Sequence, residues 1–594
     1  MNLLVFLISF KICFGHEVTG LIKIDGQKRI VESDSCVTTE ISPGWHRIRV
    51  EVYGYRDLDT ILNVGDTIVF LKLKLYTVDT VISTPKSSIR SFMTVNNRDF
   101  SLQPMPLIQD PVIFVKTLPF VYSFDEISSN DLDYSAALGK PGENMLSIEG
   151  MPVIALPIYP HSLVPLPLVR KIRFYLLDIP EEIGWTTSSH VDVRLPSGGD
   201  GSFLYFDPLG TISYSYGGPM MSGGIQVYTL SPLIMLSSRG RSRIGHIDVF
   251  YKRIAGNFLF TGFGLGEMVD IRGEYEPENT KILDFGVKLS TGNFSSYIAA
   301  SFYKYKVPLE KVDEGFITAG ALTGWKFIKW KLNLVEEYVR YKGELETGNG
   351  NFTLESFYRR RALIGRVWVP LRFRSFYIAP FADAVYQGMY FTGKGVWNSS
   401  WVYPGIKLRM NGYINLSVGT TNQFFKLFKK DKNFPQRLDI RRRTFYTLFG
   451  INMENTVFMT FFRKNLTDSL YGYGLYGKLV RRIGEKSGVA LSLWGMYSKS
   501  PSHDYGVNAD LMVTRKWGKG VYFLIRVVDR FPIYLITGER EPVSFRLDMM
   551  YVRDFKIRTH PATVYAGIYN LFSSKQKIYD IKYPVPMLSF RVKF

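Results

Sequence analysis

From about residue 210 to the C-terminus, the sequence repeats one pattern of short segments in which apolar and polar side chains alternate. Near the end of the chain, for example, Val543, Phe545 and Leu547 alternate with Ser544 and Arg546. Successive side chains of a strand point to opposite faces, so this alternation predicts strands with one apolar and one polar face. The number of such segments predicts one large antiparallel sheet.

No apolar stretch in the sequence reaches the roughly 18 to 20 residues that a membrane-spanning helix needs. A chain of this composition that crosses a membrane must therefore do so as a closed β-barrel, because only helices and closed barrels satisfy every backbone group in lipid. Tyrosines and tryptophans near strand ends, such as Trp494 and Tyr497, are typical of the aromatic girdles of such barrels. The strands of a soluble β-sandwich also alternate apolar and polar residues, but such a protein needs no girdle of aromatic residues.

The formal net charge of +20 favours anionic surroundings, such as nucleic acid, lipid headgroups or an acidic ligand. Basic clusters occur at 358–361 (YRRR), 426–432 (KLFKKDK) and 441–443 (RRR). None of these clusters lies in a nucleic-acid-binding motif. They are interpreted as solvated loops and as charged positions on a lumen wall.

The first fifteen residues, MNLLVFLISFKICFG, are typical of a secretory signal peptide, with a short apolar core and a predicted cleavage near Gly15. The alternative is a buried first strand. Of the two cysteines, Cys13 lies in this leader, so the mature chain would keep only Cys36. One thiol can form neither an internal disulfide nor a Cys-based zinc site.

Residues 16–76 alternate strongly, with Ile48 and Val50 on one face and Arg47 and Arg49 on the other. Turn dipeptides such as Asp25-Gly26 separate the alternating segments. Several short strands in about 60 residues predict a small β-sandwich. The segments VTGLIKIDG and ISPGWHRIRVEVYGYRD resemble the carboxypeptidase-regulatory-like domain, whose usual role is accessory.

The stretch from 110 to 218 has short strands separated by turns rich in Gly and Pro. Its motifs are DP followed by KTLPFV at 116–121, EGMPV at 149–153, VDV at 191–193 and GG at 198–199. Their order and spacing closely resemble the plug domain of the TonB-dependent outer-membrane transporters. Phe120 stands where that family has glycine, Glu149 stands for its usual aspartate, and its arginine is absent around 136–138. These departures indicate a divergent member.

The resemblance implies an all-β transmembrane fold: a 22-stranded antiparallel barrel at 210–594, with an N-terminal plug domain at 87–209 inside the lumen and the small sandwich before it. The chain after residue 209 is long enough for 22 strands of about ten residues with short connections. The last strand ends in phenylalanine and resembles the signal read by the outer-membrane barrel-assembly machinery, with Phe590, Val592 and Phe594 on one face. An ordinary final strand is the alternative.

The connector 77–86 resembles a TonB box, the segment through which the energy-coupling protein TonB engages these transporters. Its core is Asp79, Thr80, Val81, Ile82, Ser83 and Thr84. A short β-prone segment of this kind can add its backbone to the sheet edge of a partner. Any edge strand could carry the same residues.

The resemblance therefore implies a TonB-dependent receptor of the cell outer membrane that actively imports a scarce ligand, such as a ferric siderophore, cobalamin or an oligosaccharide. The implied partners are TonB with its inner-membrane energising complex, outer-membrane lipid, the barrel-assembly machinery and a small ligand, without nucleic acid. No cofactor, no metal site and no enzymatic activity are expected. Candidate ligand-binding residues in plug turns are Tyr134, Lys140, Glu143, Asn144, Tyr159 and His161.

Three alternatives remain open at this point. A passive plugged porin or structural barrel would have the same fold without coupling to TonB. An outer-membrane enzyme would need a Ser/His site or a pair of acids in the lumen, and neither Glu181-Glu182 nor Ser188, His190 and Asp192 has the features of one. A soluble secreted β-protein that binds polyanions would also be basic.

Overall fold

The computed structural model describes most of the predicted strands. The described residues are 8–25, 27–41, 44–52, 58–64, 68–70, 93–96, 111–116, 118–123, 134–139, 143–153, 169–183, 185–195, 202–206, 211–217, 221–228, 241–255, 258–272, 278–291, 294–307, 310–325, 327–347, 350–373, 376–392, 395–410, 414–423, 442–452, 456–466, 471–483, 487–498, 507–516, 521–530, 544–573 and 585–594. Among these residues, no helix is long and apolar enough to cross a membrane.

The N-terminal residues form a five-stranded sheet in the order β2-β1-β3-β4, with β5 parallel to β1. Its strands are β1 (Ile8–Ile24), β2 (Gln27–Ile41), β3 (Gly44–Val52), β4 (Leu58–Val64) and β5 (Ile68–Phe70). Ile48 and Val50 are buried on β3, as the alternation predicts. The predicted turn after β1 begins at Asp25, which has a φ of 48° and accepts a hydrogen bond from the Arg47 amide at 2.9 Å.

The predicted leader overlaps this sheet. Residues 1–7 lie outside the described part of the chain, whereas residues 8–15 belong to β1. The predicted cleavage point near Gly15 therefore falls within a strand of the full-length chain. Cleavage there, and the assignment of residues 16–76 to a separate sandwich, stay predictions.

The plug region forms a second five-stranded sheet, in the order β10-β9-β12-β11-β6, and a small hairpin of β7 and β8. Its elements are β6 (Met93–Asn96), α1 (Pro111–Lys116), β7 (Val121–Ser123), β8 (Tyr134–Ala136), β9 (Asn144–Ile148), β10 (Met151–Val153), β11 (Lys171–Leu176) and β12 (Ser189–Arg194). Strands β9 and β12 are parallel, and the other neighbours are antiparallel. Glu149 and Gly150 form the tight turn between β9 and β10 with φ of 55° and 80°, as their motif predicts.

The remaining strands close into a barrel. They are β13 (Phe203–Phe206), β14 (Thr211–Gly217), β15 (Met221–Tyr228), β16 (Arg241–Ala255), β17 (Phe258–Arg272), β18 (Glu278–Ser290), β19 (Ser295–Val307), β20 (Glu310–Trp325), β21 (Ile328–Thr347), β22 (Gly350–Trp368), β23 (Leu371–Phe373), β24 (Phe376–Phe391), β25 (Gly395–Met410), β26 (Ile414–Gln423), β27 (Arg442–Asn452), β28 (Thr456–Asn465), β29 (Tyr471–Ile483), β30 (Ser487–Ser498), β31 (Val507–Lys516), β32 (Val521–Arg530), β33 (Ser544–Ile557), β34 (His560–Ser573) and β35 (Val585–Lys593).

In the described part of the chain the barrel wall has 22 antiparallel strands, because β22 and β23 lie end to end against the same neighbour, β24. The last strand closes the ring on the first, and the Phe594 amide donates to the Ser202 carbonyl at 2.8 Å. The all-β plugged-barrel prediction is therefore confirmed. The first barrel strand begins at Phe203, seven residues before the expected boundary at 210.

The two faces of the wall differ as the alternation predicts. Large apolar side chains such as Leu283, Phe285 and Leu491 lie exposed on the outer face. The inner face carries polar and charged side chains, many of them buried against the plug. Trp494 differs from the expected girdle position: it is buried on the inner face, and its ring centroid lies 6.2 Å from that of Phe120 in the plug.

Candidate functional site

The inner wall of the barrel binds the plug through three buried acidic positions, which we call the charge clamp. On the plug these are Asp178 with Glu181, Glu143, and Glu149. The wall supplies the cations opposite them, namely Arg409 and Lys407, Arg463, and Lys252. Each carboxylate lies in a turn of the plug, just outside a strand, where the side chain can reach the wall.

Asp178 follows the end of β11, where Leu177 adopts a φ of 59° and turns the chain toward the wall. Its two oxygens each accept one hydrogen bond from Arg409, at 2.7 Å from Nε and 2.7 Å from an Nη atom. The hydroxyls of Ser417 and Tyr446 donate to the same carboxylate at 2.7 Å and 2.8 Å. Burial alone would raise the pKa of Asp178, but the Arg409 guanidinium outweighs it and holds this pKa well below its usual value.

Glu181 extends the same contact three residues later. Its carboxylate accepts hydrogen bonds from Arg409 at 3.0 Å and from the Tyr377 hydroxyl at 3.2 Å, and it lies 3.9 Å from Lys407 Nζ. Lys407 also donates to the Ile179 carbonyl. Burial opposes ionisation of Glu181, but Arg409 and Lys407 lower its pKa. The turn is therefore held through both its side chains and its backbone.

Trp185 anchors the end of this turn in an apolar part of the wall. Its side chain is 1% exposed and packs in a cluster with Phe316, Val335 and Ile364. The ammonium of Lys331 lies 4.3 Å from the centroid of the indole ring, and the same ammonium donates to the Ile183 carbonyl at 3.2 Å. This geometry is that of a cation–π contact shielded from water, which is worth more than an exposed one.

Glu143 and Glu149 bind two other sectors of the wall. Glu143 forms an ion pair with Arg463, which also donates to the Ala137 carbonyl at 3.2 Å. Glu149 lies 2.5 Å from Lys252 Nζ and 3.1 Å from Arg194. Burial would raise the pKa of Glu149, but these cations lower it to about 2. Glu149 is therefore ionised at neutral pH.

Phe120 makes the main aromatic contact between plug and wall. It adopts a φ of 63°, a conformation that suits the glycine of the family pattern and strains a bulky residue. Its ring lies edge-on to Phe461, with centroids 4.9 Å apart, and packs near Tyr476. Gly474 leaves the space, since a Cβ there would lie 3.0 Å from the Phe120 ring and closer still to Phe461.

Three predicted ligand-binding residues lie inside the plug rather than on an open surface. Tyr134, Glu143 and Asn144 are each 1% exposed. The Tyr134 hydroxyl lies 3.1 Å from Ser189 Oγ, which in turn donates to Asn144 Oδ1 at 2.7 Å. Here Glu143 serves the clamp, and the other two support the joint between β8, β9 and β12. Contact of these residues with a ligand stays a prediction.

The other predicted sites fall into two groups. Lys140, Tyr159, His161 and the connector from Asp79 to Thr84 lie outside the described residues. Phe590 and Val592 lie in β35 at the seam of the barrel, and Phe594 directly follows this strand. The ring of Phe590 packs against Phe206 of the first strand, with centroids 5.0 Å apart. Recognition of that strand by the assembly machinery stays a prediction.

Ser188, His190 and Asp192 do not form a catalytic arrangement. The Ser188 hydroxyl donates to the Ala136 carbonyl. His190 Nε2 lies 2.8 Å from the Ser147 hydroxyl, which donates to Asp192 at 3.0 Å. This buried network joins the parallel strands β9 and β12, and the serine that contacts the histidine is not the one on its own strand.

The clamp cations were not singled out by the sequence analysis, which emphasised runs of basic residues. A different signal marks them. In Ile406-Lys407-Leu408-Arg409-Met410, a basic residue alternates with an apolar one, which places both cations on the inner face of β25. In YRRR, by contrast, Arg360 alone of the three arginines is fully buried inside, and it pairs with Glu337 at 3.2 Å.

No protein-family model matches this sequence, and no curated protein matches it. Several solved structures do resemble the chain, and the three described next are each 10% identical to it in sequence. The siderophore receptor PirA from Pseudomonas aeruginosa aligns over 84% of this chain and 99% of its own, with a TM-score of 0.58. The copper transporter OprC aligns over 86% and 99%, with a TM-score of 0.62. BauA, the ferric preacinetobactin receptor from Acinetobacter baumannii, aligns over 85% and 97%, with a TM-score of 0.59.

At this level of identity the likeness shows the fold. The chain has the plug-and-barrel fold of the TonB-dependent receptors, which the sequence resemblance predicted.

Proposed function

We propose that this protein is a TonB-dependent receptor of the outer membrane that actively imports a scarce small ligand. The observation that carries the proposal is the charge clamp: a folded plug is tied to the inner wall of a closed barrel by buried ion pairs. A barrel held shut in this way needs an energy source to open, because breaking a buried pair leaves an uncompensated charge. The fold shared with siderophore and copper receptors supports the same role.

The plug sheet offers a place where a pull would act. Strand β6 is the first plug strand after the connector 77–86, and it lies at the sheet edge. Among the described strands it pairs only with β11, over four residues from Met93 to Asn96. Tension on the connector would strip this short edge strand first. The turn at Asp178 follows directly from β11, so disturbance of β11 reaches the clamp.

The lengths of the connections at the two ends of the barrel support a direction of import. Outer-membrane barrels have short turns on the periplasmic side and longer loops outside. In this chain the end that carries Phe594 has the tighter connections, such as 256–257 and 558–559, and the opposite end has the longer ones, such as 229–240. Ligand would enter at the end with the longer connections, and TonB would act from the other.

The test is binding to the C-terminal domain of TonB by the full-length protein purified from outer membranes. We expect binding that is lost when Asp79–Thr84 is deleted. If the connector binds as an added strand, Val81→Pro removes a backbone donor and abolishes binding, whereas the matched Val81→Ala retains it. If the intact protein does not bind TonB with its connector accessible, the proposal is wrong, and a passive plugged barrel takes its place.

A further inference from the structure

The inner wall also carries an acidic patch that the charge clamp does not use. We define it as Asp248 on β16, Glu267 on β17 and Asp284 on β18, which are 6%, 4% and 0% exposed. His246 lies among them, with Nε2 2.8 Å from Asp248 and Nδ1 3.1 Å from Glu267. Two of the three carboxylates thus share one imidazole, and Asp284 has no contact with it among the described residues.

The patch begins where the described contact between plug and wall ends. Along β18 the inward positions are Lys288, Gly286 and Asp284. Lys288 donates to the Glu149 carbonyl at 2.7 Å, and a Cβ on Gly286 would lie 3.0 Å from the sulfur of Met151. Asp284 is the next inward position, toward the end of the barrel with the longer connections. The patch therefore lies on the ligand-entry side of these plug contacts.

Asp284 is the key residue of the patch. Its register partner on β19 is Ser301, whose hydroxyl acts on it across the ladder, but neither carboxylate oxygen of Asp284 makes a hydrogen bond of ordinary geometry in the described part of the chain. One oxygen of Asp248 also makes none there. A carboxylate that is shielded from water with so little compensation is costly, and such groups in native proteins call for an explanation.

The surrounding strands do not supply the missing cation. Where the structure describes inward side chains of β16 to β20, the basic ones are His246, Lys252 and Lys288. Lys252 and Lys288 both bind Glu149 of the plug. This part of the lumen is therefore acidic, although the net charge of the whole chain is +20.

The chemistry of the patch points to an organic cation rather than a metal ion. No group of three or more His, Cys, Asp or Glu side chains able to hold a metal ion occurs among the described residues. The carboxylates are spread over three strands, a spacing that suits several ammonium groups on one flexible molecule. On β19, the rings of Tyr303 and Tyr305 stack with their centroids 6.4 Å apart, opposite Ile282 and Thr280 of β18. They add aromatic surface on the ligand-entry side of Asp284, and aromatic faces attract cations.

We propose that this acidic patch binds a ligand with two or more ammonium groups as the ligand passes through the lumen. The direction of passage rests on the proposed function, but the binding itself does not. An ammonium group would give Asp284 a cationic partner, and a second would lie near Asp248 and Glu267.

The experiment measures binding of spermine, as a probe with several ammonium groups, to the full-length protein in detergent by titration calorimetry. We expect binding that weakens as salt is raised, because charge pairing is screened. Asp284→Asn should weaken it by about tenfold or more, since one buried charge partner is lost. The control is Glu355→Gln, which removes one equally charged but exposed carboxylate, paired with Lys342 at 3.2 Å; it should leave affinity unchanged.

Three results would overturn the proposal: no spermine binding at low salt, equal affinity in Asp284→Asn and Glu355→Gln, or citrate binding as tightly as spermine. If Asp284→Asn does not fold, spermine protection of Asp284 from carbodiimide labelling in the unmodified protein decides the question. Binding to TonB is measured on the same preparation. If the protein binds TonB but not spermine, only the proposed ligand site is rejected. If it binds spermine but not TonB, only the proposed TonB-dependent transport is rejected.

Discussion

Asp178 in the plug and Arg409 in the barrel wall form a two-point ion pair, with both hydrogen bonds at 2.7 Å, although the residues are 231 positions apart in the sequence. Both side chains are almost fully buried. The pair lies between a turn that follows β11 and the inner face of β25. It therefore couples the plug sheet directly to the wall.

Breaking this pair should loosen the plug while leaving the barrel closed on itself. We expect Arg409→Gln to lower the free energy of local opening of the turn at 177–185 by about 3 kcal/mol, because Asp178 stays buried with only part of its compensation. Adding Asp178→Asn should recover part of the loss. Hydrogen exchange of peptides from this turn measures both. In the control Arg359→Gln, the lost partner is the part-exposed Glu336, and the change should stay below about 1 kcal/mol.

The packing of the Phe120 ring should stabilise the plug by more than the strained backbone of this residue destabilises it. Phe120→Gly relieves a φ of 63° but removes the edge-on contact with Phe461. The loss of a buried phenylalanine costs about 3–5 kcal/mol, and the relief of strain returns about 1–2 kcal/mol. We expect a net loss of about 2 kcal/mol in protection of β7 and β8 against hydrogen exchange. A variant more protected than the parent would contradict this balance.

The close approach of β10 to β18 should make Gly286 intolerant of a side chain. A Cβ there would lie 2.5 Å from the Phe263 ring and 3.0 Å from the Met151 sulfur. We expect Gly286→Val to destabilise plug docking by about 1–3 kcal/mol through overpacking, read as faster proteolysis after β10. The matched variant is Gly264→Val, where a Cβ would meet nothing within 4 Å. Equal proteolysis of the two variants would show that β10 does not lie against this wall.

His190 should make the plug sensitive to mild acid. Burial lowers its pKa to about 4 from an ordinary 6.5, an effect that outweighs attraction to Asp192 and is assisted by Lys331 and Arg194. Between pH 6.5 and 4 the unfolded plug binds more protons, so stability falls as pH falls through that window and then levels off.

From pH 7.5 to 5 this histidine should account for a loss of about 2 kcal/mol in the protection of β9 and β12. His190→Gln, which cannot titrate, should show a smaller pH dependence over the same range. Glu149, with its pKa near 2, contributes to the pH dependence of stability only in more acidic solution. An identical pH profile for parent and variant would remove His190 as the cause.

Local patterns in the sequence were sufficient for the barrel strands and for one turn of the plug. Alternation of inward and outward residues needs only the two-residue period of a strand, and Glu149-Gly150 carries its turn signal within two residues. Both predictions were confirmed. Strand β35 at the seam also has the predicted alternation of faces. Its Arg591 lies inside the barrel, with Cζ 3.9 Å from the centroid of the Phe203 ring.

Long-range partners could not be predicted in the same way. Nothing near Asp178 in the sequence indicates Arg409, because the pair forms only when the closed barrel brings β25 around the plug. The buried positions of Tyr134, Glu143 and Asn144 also depend on distant residues. Their turns look like exposed apices in sequence, but Glu143 is paired with Arg463 of the wall, and Tyr134 and Asn144 are joined to Ser189 of β12 within the plug.

The most direct test of the account is the conductance of the full-length protein in a planar lipid bilayer. We predict that the parent protein stays closed, since the plug fills the lumen, and that Arg409→Gln combined with Arg463→Gln produces frequent openings of a wide pore. Arg359→Gln should remain closed like the parent. A parent protein that conducts steadily as a wide open pore, with no change on loss of the clamp, would contradict a plug held in the lumen by buried ion pairs.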